Sequence, residues 1–499
     1  MQPAVPSATG GGFFRYLSYR KHFGPDHIGV LPFPAEVYAS RYSWPQLPPR
    51  LTIPYPNSSP KEYWTNSHPS QGWTFVHSGE RRRVQFVLLS LGQADVPGTG
   101  REVSKTYQIW YRHSFDSGQT FTGFRPLIQS GSEYSPFHPI RGVYVGINSY
   151  GFAGNTLIEE ARNGDILLPI YSWPLEPGTR RAYNPRHRVT SYSVAMVARG
   201  KWNEQSKEYG WEISDPTSLP DTLSTRGVDE SAVQELNSRG KCFLIGRGSN
   251  QGARLGRTIP GHYWVFRSED GCKTWVGRPK PLALDGQPFF APAAPPLLVR
   301  SKATNDVFFL GAYSRSNPTG NLPRDRVIVS KVNLQTLSLI KDSTQIVDQR
   351  DEFDGEYVDL ICCNNYYRQP DGSLFLYNRR NHSRTPAESP LNWMLLKFGV
   401  VTPSVQNLRV SVENGVPTLS WNLEKPDQNV EKTLVLVRGL HTDGLWEIDS
   451  ENTGVTQSVP LARLPLNQEV EIKLQSISPN GTIRMSPSIT YTATPRSNP

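Results

Sequence analysis

Two short stretches decide how this chain is read: Ser114-Phe115-Asp116-Ser117-Gly118-Gln119-Thr120-Phe121 and Ser268-Glu269-Asp270-Gly271-Cys272-Lys273-Thr274-Trp275. Both follow the pattern Ser-x-Asp-x-Gly-x-Thr-aromatic, and the second departs from it at Cys272, where glycine is usual. The chemistry of the pattern is local. An Asp carboxylate accepts backbone N–H bonds within its own turn, and glycine takes a backbone angle that other residues resist. Each copy directly follows a strand-like run, YQIWYRHS or HYWVFRS. Asp116 and Asp270 are therefore read as markers of a strand-to-turn corner, not as catalysts.

Outward from these turns the chain alternates strand-length apolar runs with turn clusters. The runs are VQFVLLSL, YQIWYRHS, DILLPIYSW, SYSVAMVA, CFLIGRG, HYWVFRS, DVFFLGAYS, RVIVSKV, SLFLYNR and WMLLKFGVV. None sustains a 3.6-residue apolar period. They repeat in pairs, one member near an Asn-Gly-Asp or Pro-Asp-Gly turn (ARNGDILLPIY, QPDGSLFLYN) and the other running into a Ser-x-Asp turn. Repetition at tens of residues points to a propeller or solenoid. Blades of about 40 to 60 residues predict roughly six between residues 70 and 400. Residues 1–70, rich in Pro, Tyr and Ser, read as an N-terminal wrap with one or two strands, part of the same unit. The expected domains are thus 1–70 with 71–400, and a separate unit over 403–495.

Composition agrees with an all-β chain. Of 499 residues, 37% are apolar and 19% charged, which argues for packed cores and against a largely disordered chain. The 41 Gly and 43 Pro are spread along the chain, as many short turns require. A net charge of +9 suits a basic soluble surface or an anionic ligand. No dense basic stripe interleaved with aromatics points to nucleic acid; Arg81-Arg82-Arg83 reads as a solvated strand edge. Four cysteines make no disulfide scaffold at this length, adjacent Cys362 and Cys363 are awkward to bridge, and no Cys/His spacing reads as a metal site. No cofactor is implied. The first residues carry no secretion signal, and no apolar run approaches the ~20 residues of a membrane span. A signal removed beforehand would place the protein outside the cell.

The Ser-x-Asp turns match the Asp-box motif, and the chain resembles the sialidase-like Asp-box β-propeller family. The resemblance runs over 72–400 and is carried by short motifs in family order. AGNTLIEEARNGDILLPIYSW is similar to the second-blade pattern. Asp229-Glu230-Ser231-Ala232-Val233-Gln234-Glu235-Leu236 is similar to the segment with the active-site Glu, followed one strand later by an Arg, which implies roles for Glu230 and Arg247. The stretch Arg315-Ser316-Asn317-Pro318 to Arg326 resembles the Ser-Asn-Pro…Arg segment, making Arg324 or Arg326 the next substrate arginine. Tyr357-Val358-Asp359-Leu360, followed by Pro370-Asp371-Gly372-Ser373, resembles the segment with the nucleophilic Tyr, and Asp95 falls in the acid/base loop. Two departures stand out: Gly72-Trp73-Thr74-Phe75-Val76-His77 replaces the family's first Arg segment, and Tyr377-Asn378-Arg379 replaces a Glu.

The implied chemistry is removal of an acidic terminal sugar. A neutral phenol deprotonated by a carboxylate, Tyr357 with Glu230, attacks an anomeric centre without repelling the substrate carboxylate, which the arginines clamp. Asp95 would be the acid/base. Each residue also has a structural reading: Tyr357 as packing, Glu230 as a turn cap, the arginines as surface pairs, Asp95 as a loop residue. A polysaccharide lyase acting on uronates, with a His (His77, His138 or His382) or Tyr as base, is the alternative; a non-catalytic glycan-binding protein is the second. Over 403–495 the chain resembles a fibronectin type III β-sandwich. Trp421 matches the strand-B Trp, LPLNQEVEIKLQSISPNG matches the E–F region, and Val470 stands where the family's corner Tyr is expected.

Overall fold

The computed structural model describes residues 81–350 apart from 94–104, 153–156, 180, 186–191, 238–239, 253–258 and 302–303. It also describes 405–493 apart from 414–415, 424–429, 431, 440–442, 454–457, 462–463, 466 and 478–482. Strands 11–21, 50–53, 61–65, 71–76, 366–368, 374–379 and 391–403, with Leu360, complete the set. The architecture is all-β. Among these residues the helical element is a single 3-10 turn, Lys341–Ser343. All ten runs quoted above fall on strands.

The strands form antiparallel sheets in chain succession, each with a core of four or five strands, and five such sheets lie among the described residues. The first is Gln71–Val76, Arg83–Gln93, Lys105–Ser114 and Arg125–Pro126. The second pairs Tyr150–Gly151 and Glu159–Glu160 with Ile166–Ser172, followed by Val194–Asn203 and Glu208–Ile213. The third is Ser231–Glu235, Cys242–Arg247, Tyr263–Ser268 and Val276–Pro281. The fourth is Leu297–Arg300, Val307–Ala312, Arg326–Asn333 and Gln345–Gln349. The fifth joins Tyr366–Arg368, Leu374–Arg379 and Leu391–Pro403 to the N-terminal strand Gly11–Lys21, so the two ends of this region share one sheet. A further hairpin, Arg50–Ile53 with Lys61–Thr65, extends the first sheet.

Why the runs are apolar on both strand faces follows from the packing. Side chains alternate across a strand, and here both faces are covered. Phe243 and Ile245 enter a core shared with Leu298, Val307 and Phe309 of the fourth sheet. Cys242 and Leu244, the alternate residues, enter a core shared with Leu167 and Val197 of the second. Ile166, Leu168 and Ile170 in turn meet Phe86, Ile109 and Tyr111 of the first. Sheets one to four are therefore stacked face to face in series. Burying one such side chain stabilises by about 1.5–3 kcal/mol, so the stack is held mainly by these layers. Within the third sheet burial falls outward: Ser231–Glu235 and Cys242–Arg247 are buried throughout, whereas Val276–Pro281 is largely exposed.

The C-terminal strands form two facing sheets. Val405–Glu413, Val416–Leu423 and Ser458–Pro460 make one. Trp446–Thr453, Lys432–Arg438, Glu469–Ile477, Ile483–Met485 and Ile489–Thr492 make the other. Trp421, Leu419, Val435, Ile472 and Leu474 fill the space between them, with Val470 buried in the same core. No helix among the described residues is long and apolar enough to cross a membrane.

Candidate functional site

Strand Cys242–Arg247 spans the third sheet from one edge to the other, ~17 Å at about 3.3 Å per residue. Its two ends differ in kind. At the Cys242 end, opposite Ser268, lies the second Ser-x-Asp turn. Asp270 accepts the Ser268 hydroxyl (2.8 Å), the Thr274 hydroxyl (2.7 Å) and the Lys273 and Thr274 N–H groups (3.0 Å each). Burial alone raises the Asp270 carboxyl, but these bonds outweigh it and bring it down to about 2. The first turn is built alike: Asp116 accepts the Ser114 hydroxyl at 2.6 Å and the Thr120 hydroxyl and N–H. Where the first turn has Gly118 at φ +91°, the second has Cys272 at φ +63°, a left-handed angle that disfavours a side chain. Cys272 is disulfide-bonded to Cys242, a pairing absent from the sequence expectation. Trp275 Nε1 donates to Asp215 O of the second sheet at 2.8 Å, tying the two sheets at this edge.

At the Arg247 end the polar groups come from four sheets. The loop Ser224–Glu230 enters strand Ser231–Glu235, so that Arg247 N donates to Glu230 O at 3.2 Å. Arg247, 9% exposed, holds the Glu230 carboxylate through Nη1 and lies 3.8 Å from Asp229. Asp229 in turn lies 3.5 Å from Arg226. The result is an alternating row Arg226, Asp229, Arg247, Glu230, mostly withdrawn from water. Gly227 makes the loop possible: it sits at φ +67°, and a Cβ there would lie 2.2 Å from Ser193 O. From the fourth sheet, Asn321 accepts from Arg247 Nη2 at 3.3 Å. Arg324, 2% exposed, donates to Ala293 O.

Asn250 fastens the fourth-sheet loop to the third sheet. Fully buried, it donates to Ile259 O (3.0 Å) and Pro318 O (2.7 Å) and accepts from Gly320 N (2.6 Å). Asn317 completes the seam, accepting from Gly261 N at 2.8 Å. The Ser-Asn-Pro motif is thus bonded as a loop clamp in this chain.

Aromatic groups cluster where strand Ile166–Ser172 ends. Trp173 packs edge-on to Tyr107 (centroids 5.9 Å) and Tyr171 (6.1 Å). Burial pushes the Tyr171 phenol above its usual range; the Asp229 and Tyr107 charges add to this, and Arg247 and Arg226 oppose it. Tyr263, opposite Arg247 across the strand pair, is pushed up by burial to about 12 against the influence of its hydrogen bond from Ala312 N and of Arg324 and Arg247. One phenol thus senses both arginines. Counting Arg324, the group carries three cations and two carboxylates, a net positive charge.

Of the residues singled out by sequence, Glu230 and Arg247 are brought into contact, and Arg324 lies on the loop whose Asn321 accepts from Arg247. Arg326 turns the other way: it meets Asp325 at 3.1 Å and lies near Tyr313. Tyr357 and Asp95, with His77 and His382, lie outside the described residues. Leu360, three residues beyond Tyr357, donates its N–H to Arg324 O at 2.9 Å. His138 donates Nδ1–H to Val143 O (2.7 Å) and stacks on Tyr144 (4.2 Å), a structural use. Sequence reasoning missed Arg226, Asp229, Asn250, Tyr107, Tyr171 and Trp173. Asp229 and Arg226 lay within a few residues of Glu230, but their approach depends on the Gly227 turn. The aromatic residues carried only the faint signal of bulky rings at strand ends.

No protein-family profile matches the chain, and no curated protein matches it in sequence. Among solved structures, a Trypanosoma rangeli sialidase in complex with 2,3-difluorosialic acid covers 90% of this chain and 92% of its own, with 11% identity and TM-score 0.32. A protein of unknown function from Dyadobacter fermentans covers 68% and 84%, with 15% identity and TM-score 0.39. A structure from the family 130 mannoside phosphorylases, described as containing glycoside hydrolases that target β-1,2 mannosidic linkages in Candida mannan, covers 67% and 86%, with 15% identity and TM-score 0.33. The likeness is distant. It carries no argument about activity.

Proposed function

We propose that this chain is a carbohydrate-active enzyme, an exo-glycosidase of sialidase type that releases an acidic terminal sugar. In this reading the face-to-face sheets are blades of a propeller, the Ser-x-Asp turns are Asp boxes on its outer corners, and the C-terminal strands are a fibronectin III-like module spanning 403–495. The observation that supports the reading is the row Arg226–Asp229–Arg247–Glu230, joined through Asn321 to the loop that carries Arg324. Arg247 and Arg324 hold the ligand's carboxylate. Tyr107, Tyr171 and Trp173 take the less polar face of the ring. Glu230, held by Arg247, is the carboxylate that deprotonates Tyr357, and Asp95 is the acid/base.

The test is hydrolysis of sialosides and other 2-keto acid glycosides by wild type and by Tyr357→Phe. Release by wild type, with a loss of at least about 10²-fold in the variant, supports the proposal. Absence of release, or full activity in Tyr357→Phe, sinks it. A product with ultraviolet absorbance from a uronate polymer would replace it with a lyase, and binding without turnover with a glycan-binding protein.

A further inference from the structure

The C-terminal strands do not hang free of the rest of the chain. Strand Trp446–Thr453 continues the fourth sheet through a parallel bridge, Gln345 to Trp446. Strand Ile483–Met485 runs parallel to the end of Leu391–Pro403. Leu445, 1% exposed, is buried in the same core as Phe289, Tyr313 and Ile328. Around it, Asp443 and Glu447, each with a side chain 5% exposed, face Arg315: Arg315 Nε donates to Asp443 at 2.8 Å, and Nη2 lies 3.9 Å from Glu447. At the far side of the same contact Arg438 meets Asp342 at 2.7 Å. Gly444, at φ +62°, lets the turn pass close to Lys341.

Arg315 begins the loop that carries Asn317, Asn321 and Arg324. Asn250 pins the middle of that loop to the third sheet; Arg315 pins its root to the C-terminal strands. We infer that Asp443 and Arg315 are positioning residues, and that the C-terminal module buttresses the loop that presents Asn321 and Arg324. The importance of this for ligand binding rests on the proposed site, but the buttress itself does not. Two nearly buried carboxylates facing one guanidinium have few alternative arrangements. Displacing them shifts the root of the loop and leaves its hold to the Asn250 seam and the bonds at Asn321 and Arg324.

Hydrogen exchange on the full chain, followed by mass spectrometry, tests the inference. In Asp443→Asn the segment 316–326 is expected to exchange at least about tenfold faster, with 194–203 in the second sheet unchanged. Asp443→Glu, which keeps the charge, retains most of the protection. If Asp443→Asn fails to fold, Arg315→Lys, which keeps the charge but loses the planar fork, gives the same readout. Unchanged exchange over 316–326 while 432–453 exchanges faster would overturn the inference, since the module would then be docked without bracing the loop. Failure of the functional proposal looks different: Arg324→Ala would bind a sialic acid analogue as wild type does, with the exchange result intact.

Discussion

The two ends of strand Cys242–Arg247 satisfy their polar groups by opposite means. At the Cys242 end the acceptors and donors of the Ser-x-Asp turn come from residues two to four positions apart in the chain. At the Arg247 end the partners are separated by 17 residues for Glu230 and 74 for Asn321, and Asn250 reaches 68 residues to Pro318. The carboxylate bonds of the first end are local and mostly exposed, although Trp275 and the Cys242–Cys272 bridge tie the turn to more distant residues. The second is buried and assembled from separate sheets. A self-contained turn costs little to form and contributes little when removed. An assembled network is costly to order, and a single deletion strands its neighbours in a poorly solvated place.

That contrast is open to direct attack, most severely at Arg247. Arg247→Met removes the guanidinium between Asp229 and Glu230, leaving the Glu230 carboxylate without its cation while Asp229 keeps Arg226 at 3.5 Å. A loss of about 3–5 kcal/mol in urea unfolding is expected. Glu230→Gln in the same background should recover part of it, and a single loss below about 1 kcal/mol would mean that water already reaches the row. Asn250→Ala comes next. It removes the Asn250 bonds of Pro318 O and Gly320 N and leaves Ile259 O with Asn317, which predicts about 1–3 kcal/mol and faster exchange across 317–321. Asp270 is the smallest. Its carboxyl is lowered from 3.8 to about 2, so its stabilisation is fully present above the unfolded value and is lost as the pH falls from there through about 2. The group is mostly exposed, so Asp270→Asn should cost no more than about 1 kcal/mol near neutral pH and flatten the acid limb of the stability profile. An effect at Asp270 equal to that at Arg247 would erase the contrast.

The same difference governs what could be read from the chain. The strand runs were legible because sheets buried on both faces require near-continuous apolar residues, as in CFLIGR. The Ser-x-Asp turns were legible because their bonds close within a few residues. Glu230 and Arg247 could be named from motif order, and antiparallel pairing of their strands brings them together. Arg226, Asn250, Tyr107 and Trp173 had no such local mark. The different settings of Arg324 and Arg326 also needed the structure: Arg324 is buried against Ala293 O, whereas Arg326 meets Asp325. Roughly six sheets were expected over 70–400; the described residues supply five, one of them completed by Gly11–Lys21.

By itself, then, the sequence determined the all-β class, the positions of the strands and the corners carrying Asp116 and Asp270, because each depends on side-chain alternation or on bonds spanning a few residues. The face-to-face order of the sheets, the Cys242–Cys272 bridge, the row through Arg226 and Arg247, and the seating of Asp443 on Arg315 were decided only in the tertiary structure. Those contacts join residues 30 to 128 positions apart or depend on one glycine turn. Side-chain chemistry alone carries no information about which distant partner the packed sheets will bring within reach.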